Sequence, residues 1–175
     1  TGTLTEGKPY LTDVVVLDRA STREEVLTWA ARAEAGSEHP LARPVLEAAA
    51  AEGLSTPGLP EATEPVPGKQ YGVADTVGAA GTAQELAAAG RTPMVVALDQ
   101  TVLGVIAVAD QVRPDAAQMV TDLHAAGVKK VVMLTGDAPL VAQAIGRATG
   151  IDEVRAGLLP EDKLEAVADL QRQGY

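Results

Sequence analysis

The sequence predicts an α/β fold: a parallel sheet covered by helices, interrupted by an inserted α+β domain. Three observations carry this. From Asp115 onward, helix and strand patterns alternate regularly, which places successive strands parallel in one sheet. Before that lie two helical stretches, a Gly/Pro-rich region and a hairpin pattern, a different organisation that reads as an insertion over 15–103. The chain of 175 residues is 46% hydrophobic without a single phenylalanine, so its core must be built from aliphatic side chains and alanine.

The elements follow in order. Leu11 to Leu17 is rich in β-branched residues and reads as a strand. Ser21 and Glu24 have capping-box spacing, so a helix is expected from Thr22 to about Ala35, with Val26, Leu27, Trp29 and Ala30 inward. Pro40 suits the first turn of a second helix that stops at Gly53, while Pro44 predicts an irregular start there. From Leu54 to Gly81 there is no clear period. Thr82 to Ala89 reads as a short helix, and Met94–Leu98 with Val102–Val108 as a hairpin across Asp99-Gln100. Helices over 115–126, 138–149 and 160–173 then enclose strands at 128–134 and near Val154. The segment ending in Thr1-Gly2-Thr3 is expected to join that parallel sheet.

Composition narrows the chemistry. A net charge of −10 argues against nucleic acid, whose phosphates need clustered Lys and Arg. With no cysteine and two distant histidines, disulfides and a protein-built zinc site are not expected. No apolar run approaches the ~20 residues of a membrane helix, so this part of the chain is not expected to insert in a bilayer.

Five constellations could carry chemistry. Thr135-Gly136-Asp137 closes an apolar strand, and the carboxyl end of a strand is where open α/β sheets bind ligands. Thr135 offers a hydroxyl, Gly136 lets backbone approach a phosphate, and Asp137 can N-cap the next helix; a plain strand-to-helix turn explains the same residues. Lys163 stands in the first turn of the last helix, where the dipole disfavours a cation unless an anion lies in reach; a solvated lysine is the bland alternative. Glu34-Ala35-Gly36-Ser37-Glu38-His39-Pro40-Leu41 puts a carboxylate and an imidazole five residues apart across a helix–helix corner. The carboxylate could accept from the amine of adenine, and the imidazole could stack on the base or bond a phosphate oxygen. Alternatively His39 caps a helix and Glu38 faces water. Gly68 and Gly72 form a glycine-rich turn that could admit a nucleotide. Asp110, with Arg113-Pro114, marks a strand exit and helix start.

Taken in this order, the motifs resemble the cytosolic catalytic core of heavy-metal-transporting P-type ATPases. Thr1-Gly2-Thr3-Leu4-Thr5 resembles the end of the phosphorylation motif Asp-Lys-Thr-Gly-Thr-Leu-Thr, and Ser37-Glu38-His39-Pro40-Leu41 resembles the motif that marks the heavy-metal branch. Thr135-Gly136-Asp137 and Pro160-Glu161-Asp162-Lys163 resemble the phosphate-contact motifs of the haloacid-dehalogenase-like phosphorylation domain, and Asp110 with Arg113 its hinge. The resemblance implies a phosphorylation domain over 1–14 and 104–175 and a nucleotide-binding domain over 15–103, with loop residues trimmed or absent around 69–82. It implies ATP and Mg2+ as cofactors. Glu34, Ser37, Glu38 and His39 would sit by the adenine, with Gly68 and Gly72 as the glycine contact. Thr1 would offer its carbonyl to Mg2+. Thr3 and Thr135, with Gly136 and Asp137, would meet the phosphoryl group, and Lys163 would neutralise its charge, as phosphoryl transfer requires.

The acceptor aspartate would precede Thr1, so the printed chain is expected to form no phosphoenzyme. Transmembrane and actuator domains of a longer chain are the implied partners, and the cytoplasmic side of a membrane the implied place. A haloacid-dehalogenase-like phosphatase with an inserted cap, or a non-catalytic module of the same fold, are the alternatives. The transported ion cannot be named from these residues.

Overall fold

The computed structural model describes residues 2–37, 39–55, 76–99 and 101–174. The expectations for Thr1, Glu38, Gly68, Gly72 and 69–75 lie outside them. The element order is β1 (Thr5–Val16), α1 (Arg23–Glu34), α2 (Ala42–Ala51), α3 (Thr76–Ala88), β2 (Thr92–Leu98), β3 (Thr101–Val112), α4 (Ala116–Ala125), β4 (Val132–Leu134), α5 (Pro139–Thr149), β5 (Glu153–Arg155) and α6 (Pro160–Arg172). The fold is α/β, as the alternation predicts.

The chain divides into two compact units. One holds Thr1–Lys8, Ala87–Gly90 and Asp110–Tyr175; the other holds Pro9–Leu86 and Arg91–Ala109. Two of the divisions fall inside β1 and β3, strands of 12 residues each, one inside α3 and one between α3 and β2.

In the second unit the hairpin expected across Asp99 forms. β2 and β3 pair antiparallel, and Asp99 adopts a positive φ of 53° at the turn. β1 lies on the other side of β3, in the order β1-β3-β2. The Leu17 N–H donates to Leu103 O, and the Arg113 N–H donates to Leu4 O, so β1 and β3 run in opposite directions. At the bulge between Val96 and Ala97, Gly104 faces Val96. A Cβ on Gly104 would stand 2.3 Å from the Val15 carbonyl oxygen, so only glycine permits this strand approach. The core here is aliphatic: Val26, Leu27, Ala30, Ala31, Val45, Ala49, Val96, Leu103, Ile106 and Val108 form one cluster. Trp29 packs only at its edge. Ala79, Leu86, Val102, Val105 and Ala107 form a second.

Three local expectations are corrected. The N-cap of α1 is Thr22 rather than Ser21: Thr22 Oγ1 accepts the Glu25 N–H at 3.2 Å, and Glu25 Oε2 accepts the Thr22 N–H at 2.7 Å. Ser21 is unavailable because its hydroxyl donates to Asp18 Oδ2 at 2.8 Å. The second helix begins at Ala42, two residues past Pro40, which puts Pro44 at its third position. A first-turn N–H has no intrahelical partner, so Pro44 sits there without breaking the helix. Finally, β4 begins at Val132 rather than Val128. The Val128 N–H donates to Leu123 O and its carbonyl meets His124 Nδ1 at 2.8 Å, so its backbone closes α4 rather than a ladder.

In the first unit β4 and β5 pair in parallel, with Met133 opposite Val154. α5 packs on β5 and on α4, and ends at Gly150 in the left-handed conformation, φ 75°. Among the described residues this sheet has two strands. β1, which follows Thr1-Gly2-Thr3, pairs with β3 rather than with this sheet.

Candidate functional site

The Glu34–Leu41 corner joins two helices that pack on each other. At the far end of this helical hairpin Arg23 grips Glu52 with two bonds, 2.6 and 2.9 Å. The hydrogen-bonded Arg23 guanidinium holds the Glu52 carboxyl below its ordinary range. The corner itself is a ladder of short-range bonds. The Ser37 N–H donates to Glu34 O at 3.0 Å, the His39 N–H to Ser37 Oγ at 3.2 Å, the Leu41 N–H to His39 Nδ1 at 3.2 Å and the Ala42 N–H to His39 O at 2.9 Å. Each side-chain acceptor shapes the turn and so fixes where the next residue points. Ser37 is thereby occupied with backbone. Among the described residues the half-buried Glu34 carboxylate and His39 Nε2 make no hydrogen bond.

In the other unit the Thr-Gly-Asp turn ends β4. Thr135 is buried and its hydroxyl donates to Asp137 Oδ2 at 2.7 Å, while the Asp137 N–H returns to Thr135 Oγ1 at 3.1 Å. Asp137 therefore does not cap α5, whose N-cap is Ala138 with no side-chain bond. The carboxylate is taken up by the threonine two residues earlier. The turn is tied across to the next segment: the Leu158 N–H donates to Thr135 O at 3.0 Å and the Gly157 N–H to Asp137 O at 2.9 Å. A Cβ on Gly136 would come within 3.2 Å of Leu158 O. These ties bring the start of α6 to the same end of the sheet as Thr135. The first turn of α6 is closed by Asp162 Oδ2, which accepts the Leu159 N–H at 2.8 Å. Lys163 follows, exposed and with no ion pair among the described residues.

The same unit holds Asp110 and Arg113 at the end of β3. Asp110 accepts the Gly7 N–H at 3.1 Å and the Lys8 N–H at 2.9 Å. Arg113 donates from Nε to Thr5 O at 3.1 Å and from Nη2 to Gly2 O at 3.2 Å, besides its backbone bond to Leu4 O at 2.9 Å. Both side chains thus fasten the Gly2–Lys8 backbone. Thr3 is exposed with no side-chain bond among the described residues.

Sequence reasoning overlooked two groups. Thr5 is buried and its Oγ1 accepts the Gly2 N–H at 3.0 Å, folding the Gly2–Thr5 turn. The spacing of a threonine three residues after a glycine was the available signal. The backbone N–H of Leu41, which orients His39, has no side-chain signature at all.

A Mg2+ ion finds no group of three Asp, Glu, His or Cys side chains among the described residues. No described helix is long and apolar enough to cross a membrane.

The family model of haloacid dehalogenase-like hydrolases matches residues 1–175. The chain is 39% identical to a manganese-exporting P-type ATPase of Mycobacterium leprae, over all of this chain and 27% of that protein. It is 37% identical to a zinc-exporting P-type ATPase of Mycobacterium marinum, over all of this chain and 26% of that protein. The chain thus spans about a quarter of the length of these relatives. Among solved structures, a zinc-transporting PIB-type ATPase in its E2.Pi state superposes with a TM-score of 0.69 at 39% identity, covering 99% of this chain and 30% of the other.

Proposed function

The chain belongs to the haloacid dehalogenase-like hydrolases, with heavy-metal P-type ATPases among its relatives, and from this we propose that it is the ATP-binding and phosphoryl-transfer core of such an ATPase, one that drives heavy-metal cation transport across a membrane. The observation that carries the reading is the Glu34–Leu41 corner. Its bonds are spent on shaping the turn, and they leave an acceptor (Glu34) and an imidazole edge (His39) without hydrogen-bond partners among the described residues.

In this reading the residues 15–103 are the nucleotide-binding domain, and Glu34 accepts from the exocyclic amine of adenine. Ser37 holds the turn. By resemblance, Glu38, Gly68 and Gly72 would also contact the nucleotide. In the phosphorylation domain, Thr3 and Thr135 bond phosphoryl oxygens, Gly136 leaves room for the phosphate, and the Lys163 ammonium offsets its charge. Asp137 keeps the Thr135 side chain in place. Asp110 and Arg113 fasten the strand junction on which the nucleotide-binding domain would pivot. This is a division between positioning and charge stabilisation, the two tasks phosphoryl transfer sets a protein. Mg2+, when bound with ATP, would offset phosphate charge; the described side chains supply no set of three ligands for it. The relatives are named for manganese, zinc and copper, so the cation is given only as a class. The remaining domains of a longer chain, transmembrane and actuator, would be its partners.

Calorimetric titration of the chain with ATP tests this reading. Saturable binding with a Kd below about 1 mM, about −4 kcal/mol, is expected. Absence of heat at millimolar ATP would overturn it.

A further inference from the structure

We propose that His124 is a proton-operated staple between the end of α4 and the start of β4. Its ring spans two acceptors: Nδ1 lies 2.8 Å from the Val128 carbonyl oxygen, and Nε2 lies 3.2 Å from Asp152 Oδ2. A neutral imidazole carries one N–H, so it satisfies one of these oxygens and turns a lone pair on the other. The imidazolium donates to both. His124 also stands in the last turn of α4, where the helix dipole favours a cation. The closed staple is therefore the charged ring.

Its far side is one oxygen shared by two donors. Asp152 Oδ2 faces the His124 Nε2 and also accepts the Val131 N–H at 2.7 Å, while the Asp152 N–H returns to Val131 O at 3.1 Å. Val131 directly precedes β4, the strand that leads into Thr135. When the ring loses a proton, the shorter bond keeps the one that remains. That bond runs to the Val128 carbonyl, whose residue is fixed to α4 by its own N–H on Leu123 O, so the neutral ring carries its proton on Nδ1. Nε2 then presents a lone pair to the carboxylate, and Asp152 turns away and loosens its hold on Val131. The other charged groups on the surrounding elements are Asp122 on α4, held by Gln118; Lys129 and Lys130 before β4; Glu153 on β5, which pairs with Lys130 and Arg155; and Arg147 on α5, the helix packed on α4. Of these residue types, histidine alone ordinarily changes charge near neutral pH. His124 and Asp152 are 36% and 38% exposed, so the staple governs local opening rather than global unfolding.

The test follows the His124 ring by two-bond 15N–1H spectra across a pH titration and reads amide exchange on the same chain. Where the spectra show a neutral ring, its proton should be on Nδ1. Exchange at the Val131 amide, divided by exchange at the Thr135 amide to cancel base catalysis, should rise at least about threefold from the charged to the neutral ring, the weight of an exposed ion pair. In His124→Gln, whose side-chain amide donates without titrating, the same ratio should stay constant over that range. A neutral ring protonated on Nε2 would overturn the proposal. So would a ratio that is flat in the parent, or one that rises equally in His124→Gln.

Discussion

Thr135 and Asp137 bind each other twice, hydroxyl to carboxylate at 2.7 Å and backbone N–H to hydroxyl at 3.1 Å. Thr135 is 5% exposed, so its hydroxyl has little water to fall back on. Thr135→Val, nearly equal in volume, should destabilise the first unit by about 1–3 kcal/mol because the Asp137 N–H loses its acceptor. Thr135→Ser should recover most of that. Urea unfolding of the three proteins checks it; an unchanged midpoint for the valine variant would mean the turn is held by its backbone ties alone.

Asp110 and Arg113 make five bonds to the Gly2–Lys8 backbone. Asp110→Ala frees two N–H donors at once and should speed amide exchange at Gly7 and Lys8 by at least tenfold. Arg113→Met should leave those two amides protected and loosen the turn around Gly2 instead. Hydrogen exchange followed by NMR separates the two effects, and equal exchange at Gly7 and Lys8 in parent and Asp110→Ala would refute the clamp.

Gly104 faces the Val15 carbonyl with no room for a methyl group. Gly104→Ala should cost about 1–3 kcal/mol or more, since a rigid strand rather than a flexible side chain must give way. Thermal unfolding is sufficient to measure it. A variant as stable as the parent would show that β1 shifts freely against β3.

How far the sequence foretold this molecule depends on where the information resides. The hairpin across Asp99, α5 between Ala138 and Gly150, and the parallel pair β4–β5 follow from local patterns of turn residues and apolar period. The cap of α1 was misplaced by one residue because Ser21 and Thr22 both have the right chemistry; only the tertiary position of Asp18 decides between them. The start of β4 was placed too early because Val128 is β-branched, while its backbone is claimed by α4. At the candidate site, residue types and spacing were legible in Glu34–Leu41 and Thr135–Asp137. The partners of Asp110 and Arg113 were not, because they lie more than a hundred positions away in sequence.

Acid should weaken the first unit through two carboxylates. Glu153 is held below its ordinary range by hydrogen bonds from Lys130 and then Arg155, and Asp169 by Arg155 first, with Gln173 and Arg172 assisting. A carboxyl whose folded pKa is depressed stabilises the fold above its unfolded value, about 4.3 for Glu and about 3.9 for Asp. That contribution disappears as pH falls through the folded value. Stability should therefore be flat above about pH 5 and drop below about pH 4. Arg155→Leu, which removes the shared partner, should make the drop shallower. Chemical unfolding across that range is the measurement, and an equally steep drop in the variant would place the acid sensitivity elsewhere.

The corner between α1 and α2 offers the sharpest test of what this chain does. His39 is exposed and Glu34 half-buried, and neither belongs to a core cluster. His39→Gln and Glu34→Ala should each weaken ATP binding by about 1–3 kcal/mol, the usual cost of losing a hydrogen bond in a partly buried site. The thermal midpoint should move little, because changes at exposed corners rarely exceed about 0.5 kcal/mol. Calorimetric titration read beside thermal unfolding distinguishes the possibilities. Parent-like ATP binding by both variants would move the adenine site elsewhere and leave the corner a structural turn. Loss of the folded state in both would show that Glu34 and His39 hold α1 and α2 together. Weakened binding on an unchanged midpoint is the result expected from a Glu34 carboxylate with no hydrogen bond among the described residues and an imidazole oriented by Leu41.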